Sequence, residues 1–100
     1  FPGMTRDTIL SAWERHCRED WPRFASPNQG PLMTVDTVIS GCVVFYLDTP
    51  EGLDQQRVEI LKNCLADLEE LTLDLDESAQ AYFLQLRRLG ELLLAATPQP

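Results

Sequence analysis

From Val58 to Ala96 apolar residues recur in steps of three and four without a slip, through Leu61, Leu65, Leu68, Thr72, Leu75, Ala79, Tyr82, Leu86, Leu89 and Leu93. A strand would alternate, so only helix satisfies this register, and the heptad pattern runs for more than five repeats. Two structures fit it. One is a single helix of about forty residues, whose seam needs a second chain to cover it. The other is an αα-hairpin broken near Thr72–Glu77. There the run Leu71-Thr-Leu-Asp-Leu-Asp-Glu77 is poor helix interior, and Asp74 with Glu77 makes a capping pair. The hairpin is preferred, because helices near forty residues are rare in domains of this size.

The N-terminal half reads as two further helices. The first is predicted over Arg6–Trp21, with Thr5 as N-cap and Asp7 at the positive end of the helix dipole. Its apolar face carries Ile9, Leu10, Trp13, Cys17 and Trp21, and Pro22 ends it. Two prolines and a glycine make Ala25–Pro31 a connector. Thr34–Leu47 has helical spacing at Val35, Val38, Ile39, Cys42, Val43 and Tyr46, yet it is rich in β-branched and aromatic residues. No other segment offers a partner strand, so helix is the better reading. Gly41 costs such a helix about 1 kcal/mol relative to alanine, which suggests a close helix–helix approach there. The third helix is predicted over 50–72, with Thr49 or Asp54 as cap and Pro50 in the first turn, and the fourth over 75–96. The expected fold is all-α: one domain over residues 1–100, an up-and-down bundle of four helices at about 6–21, 34–47, 50–72 and 75–96. Phe1, Pro2 and Gly3 ahead of Met4 read as a cloning remnant, and residues 97–100 as a proline-containing tail.

Charge narrows the partners. Eight basic against sixteen acidic residues give a net charge of −8, which disfavours nucleic acid and anionic membranes. The six acids Asp67, Glu69, Glu70, Asp74, Asp76 and Glu77 have no cation among them and leave the rest of the chain at only −2. No apolar run approaches the roughly 18 residues of a membrane span. No basic-then-apolar leader opens the chain, so no signal peptide is expected. Cys17, Cys42 and Cys64 are odd in number, lack a C-x-x-C pair and fall on apolar helix faces. They read as buried thiols of a cytoplasmic protein.

Catalytic chemistry is thinly represented. His16 is the single histidine, expected on a helix surface; with Asp20 it offers two metal ligands, too few for a site. Adjacent helical residues point about 100° apart, so His16 and Cys17 do not pair. Asp67, Glu70, Asp74 and Glu77 form an acidic stripe if helical, which invites comparison with all-α metal-dependent nucleotide hydrolases. Those need a second acidic helix opposite, and Glu14, Glu19 and Asp20 lack the paired spacing. No metal, cofactor or small-molecule substrate is therefore expected. The stripe lies opposite the apolar seam and should face water.

The last helix also carries more apolar residues than one neighbour can cover. Phe83, Leu84, Leu92 and Leu94 widen its stripe, with Leu84 set among Gln80, Arg87, Arg88 and Glu91. Such an excess marks either a central helix or an interface. In size, acidity and helicity the chain resembles small bacterial immunity proteins, anti-activators and secretion adaptors, a likeness of type rather than of motif. The expected function is non-enzymatic binding of a basic protein partner through Asp67, Glu70, Asp74, Glu77, Leu84 and Arg87. The alternatives are a structural homodimer along the heptad seam and a metal-dependent nucleotide hydrolase.

Overall fold

A computed structural model describes residues 2–49 and 52–97, with side chains from Arg6 onward. The helices are α1 (Pro2–Arg18), α2 (Gln29–Asp48), α3 (Gln55–Leu71) and α4 (Glu77–Ala96). The ambiguous second segment is helix, and it starts five residues earlier than its periodicity predicts. Pro31 fits within its first turn, where the missing N–H is not needed. The first helix is shifted: it begins at Pro2, so Thr5 lies inside it and does not cap it, and it stops at Arg18, three residues short of Trp21. The predicted roles of Pro50 and of the final prolines fall outside the described residues.

The hairpin reading of the C-terminal half holds. Residues 72–76 form the turn, and Thr72 donates its hydroxyl to the Leu68 carbonyl at 2.8 Å while Gln80 caps the Leu75 carbonyl at 2.9 Å. The N-cap is Asp76, whose carboxylate accepts from Ala79 N at 2.9 Å; the predicted cap Asp74 is exposed in the turn. Asp54 caps α3 in the same way, accepting from Arg57 N at 2.8 Å. Cap removal costs about 1 kcal/mol, and each kcal/mol lowers the melting temperature of a domain this size by roughly 4–8 °C. Asp76→Ala is therefore expected to melt several degrees lower, and Asp74→Ala, which removes the same charge, to melt like the parent. Circular-dichroism melts of the pair check this, and equal melting temperatures would remove the cap assignment.

Long-range contacts set the helix directions. Arg6 at the start of α1 donates to the Tyr46 and Leu47 carbonyls at the end of α2. Asn28, just before α2, reaches the Leu71 carbonyl at the end of α3 at 3.5 Å. His16, late in α1, lies against Tyr82, early in α4, with ring centroids 5.0 Å apart. Sequential neighbours are thus antiparallel, which is the up-and-down order. The body measures 40 × 25 × 17 Å.

The heptad seam is consumed within the chain: Val58, Leu61, Leu68, Leu75, Ala79, Leu86, Leu89 and Leu93 are all buried. The apolar excess of α4 follows from its central position, since it packs on α1, α2 and α3 and buries Phe83 completely. The close approach expected at Gly41 occurs elsewhere. Gly41 is exposed with open space around it, whereas a Cβ on Gly90 would come within 2.8 Å of the Leu65 side chain. α2 is the most apolar element, with mean hydropathy 1.5 over a membrane-spanning length, and its inner stripe from Leu32 to Tyr46 lies in the bundle core.

Candidate functional site

The turn between α3 and α4 gathers the residues singled out by charge. Asp67 and Glu70 sit on the last turns of α3, Asp74 in the turn itself and Glu77 at the first position of α4; all four are exposed. They do not form one continuous helical stripe, because the helix ends at Leu71. They still share one end of the bundle with Glu69 and Asp76. Ion pairs among the described residues join His16 to Asp36, Arg57 to Asp54 and Arg87 to Glu91, so none of the six acids is neutralised by a cation.

Apolar surface lies beside this charge. Leu73, in the turn, is 78% exposed, and Leu84 is 47% exposed. Leu73 escaped the periodicity argument, because it stands off the heptad register in a segment read only as poor helix. A shallow groove of about 150 Å³ runs between Leu68 and Glu69 of α3, with Thr72 of the turn, and Gln80, Leu84 and Arg87 of α4. Arg87 reaches Glu91 at 3.5 Å, one turn along its own helix, and leaves Glu69 across the groove unpaired. Exposed leucines and carboxylates without an ion pair among the described residues thus lie at one end of the bundle.

A second polar cluster lies inside the bundle, and here a sequence expectation is corrected. His16 is buried at 6% exposure, where a helix-surface position was predicted. Its Nε2 lies 3.4 Å from Asp36 Oδ1. Tyr82 donates its hydroxyl to Asp36 Oδ2 at 2.6 Å, and Ser40 donates to Asp36 Oδ1 at 3.2 Å. Burial would raise the Asp36 carboxyl, but hydrogen bonds from His16 and Tyr82, the His16 charge and the Ser40 hydroxyl outweigh it and hold it below its ordinary value. Burial and the adjacent Asp36 carboxylate push the Tyr82 phenol well up.

This cluster ties three helices together. Trp13, Trp21 and Tyr82 rings surround it, with Trp13 6.1 Å from His16 and Trp21 5.6 Å from Tyr82 between centroids. Asp36 ties α2 to α1 through His16 and to α4 through Tyr82, across the bundle.

The thiols divide. Cys42 is buried, Cys64 half-buried and Cys17 exposed, the last contrary to expectation because α1 turns His16 inward and its neighbour out. Burial raises both Cys42 and Cys64, which keeps them protonated and weakly nucleophilic. Among the described residues no three His, Cys, Asp or Glu side chains are placed to hold a metal ion. Glu14, Glu19 and Asp20 are exposed. The chain matches no known protein family, no curated protein and no solved structure.

Proposed function

We propose that this chain is a non-enzymatic interaction protein that binds a basic protein partner through the α3–α4 end of the bundle. One observation carries the reading: Leu73 stands 78% exposed in the segment that bears six carboxylates, none of them in an ion pair among the described residues. Leaving a leucine in water forgoes roughly 1.5–3 kcal/mol that its burial would supply, and a partner would recover it. Asp67, Glu70, Asp74 and Glu77 steer the encounter, since like charges gathered on one surface raise association rates with an oppositely charged partner. Leu73 and Leu84 supply the buried contact, and Arg87 at the groove edge is a donor for partner backbone or acid. The role we propose for such a surface is that of a cytoplasmic inhibitor, immunity protein, anti-activator or adaptor.

The test begins with capture from native-cell lysate at low salt and continues with association kinetics on the purified partner. Glu70→Lys/Asp74→Lys is expected to slow association at least tenfold and to flatten its salt dependence. Leu73→Ser is expected to speed dissociation. A partner bound by both variants with parental kinetics would overturn the reading.

A further inference from the structure

We propose that the groove between α1 and α4 is a binding site for an organic oxyanion, a carboxylate or phosphate head on an apolar body about 10 Å long. This groove lies on the other flank of α4 from the docking surface. It encloses about 650 Å³, a size typical of small-molecule sites. Its walls divide by chemistry. Arg15 of α1 and Arg88 of α4 bring two guanidinium groups, and Ala12, Leu89 and Leu92 form an apolar floor.

The two arginines are what make the groove unusual. Arg6 is engaged by the carbonyls ending α2, Arg57 by Asp54 and the Phe45 ring, and Arg87 by Glu91. Arg15 and Arg88 are exposed and, like Arg18, Arg23 and Lys62, join no ion pair among the described residues, but these two alone of the five line the groove, with Asp7. A planar guanidinium offers paired donors matched to carboxylate or phosphate oxygens, and each of the two helices brings one to this groove.

Antiparallel packing orders the groove along its length. Arg15 lies toward Gln85, and Asp7 lies toward Leu92, at the far end. An anion is therefore accepted at the Arg15 end and repelled at the Asp7 end, which selects a ligand with one charged head. Gln85 and Leu92 are seven residues apart on α4, a span of about 10 Å at the helical rise. A second depression, lined by Arg88, Glu91 and Leu92, shares two of these residues with the groove. A polyanion is disfavoured by the net charge of −8, whereas a single-headed anion meets that repulsion least.

Amide-resolved NMR titration of the intact chain provides the test. Octanoate and octyl phosphate are the probes; octanol, octylammonium and inorganic phosphate are the comparators. At least one probe is expected to shift the Ser11, Ala12 and Leu89 amides saturably, and which one does so identifies the head group. Arg15→Ala/Arg88→Ala is expected to weaken that binding at least tenfold, whereas Arg18→Ala/Arg23→Ala, which removes two exposed arginines outside the groove, leaves it unchanged. All four arginines are exposed, so parental melting temperatures are expected and lost binding reports on the site. Three outcomes would overturn the proposal: no saturable shift with either probe, octylammonium or octanol binding as tightly, or inorganic phosphate alone binding as tightly.

Discussion

Phe83→Ala is expected to cost about 3–5 kcal/mol, the range for truncating a fully buried aromatic ring. At roughly 4–8 °C per kcal/mol, the melting temperature should fall by at least 12 °C or so. The ring is 1% exposed and meets Trp21 at 5.4 Å, Phe24 at 5.9 Å and Tyr82 at 5.0 Å, each edge-on. Such pairs add about 0.5–1.5 kcal/mol beyond their area. Trp21 and Phe24 belong to the irregular stretch between α1 and α2, which has no helix of its own to hold it in place. Truncation should therefore loosen that stretch before the bundle melts, and tryptophan emission should shift red at temperatures where helicity is intact. Phe83→Leu conserves most of the volume and should cost less than about 1.5 kcal/mol. Parental melting in Phe83→Ala would show that the ring cluster does not anchor the connector.

Tyr82→Phe is expected to destabilise by about 1.5–3 kcal/mol near neutral pH, the value of a hydrogen bond to a charged acceptor. It removes the 2.6 Å donor to Asp36 and changes nothing else in shape. The pH dependence separates this cluster from generic core loss. Asp36 is held below its ordinary 3.8 in the fold, so its stabilisation is present above about pH 4 and is lost as pH falls through and below that value. Tyr82 is raised above its ordinary 10.0, so its contribution is present below about pH 10 and is lost as pH rises past it. Urea titrations at acid, neutral and alkaline pH should show both limbs in the parent. Asp36→Asn should flatten the acid limb and Tyr82→Phe the alkaline one. Limbs unaltered by either substitution would place the titrating groups elsewhere.

How far these features could be read in advance depends on how local their causes are. The heptad from Val58 onward is a local pattern, so it located α3 and α4 and the core residues they contribute in its register, from Val58 to Leu93. The hairpin break was legible in Leu71–Glu77, but the cap moved by two residues because Asp74 and Asp76 both suit it. Burial decides between them, since capping by Asp76 turns Leu75 and Ala79 into the core. Gly41 illustrates the converse: its cost to the helix is intrinsic, whereas which way it faces depends on neighbours. His16 was misread because its partners lie 20 and 66 residues away along the chain. One clue was available in Asp36, the lone acid in an otherwise uncharged stretch from Gln29 to Leu47, a position that calls for hydrogen-bond donors. The groove of Arg15 and Arg88 had no such clue, because it exists only where α1 and α4 meet.

The turn that bears the acids closes one end of a body 40 Å long and 17 Å across at its narrowest. Charge gathered at one pole of an elongated particle gives it a permanent dipole along its long axis. Near a positively charged surface that dipole experiences a torque before any atoms touch, and rotation brings the α3–α4 pole foremost. At physiological ionic strength the field reaches only about 8 Å, so this alignment belongs to the last layers of water before contact. The exposed residues of α2 from Gln29 to Leu47, which carry no charge, take no part in it.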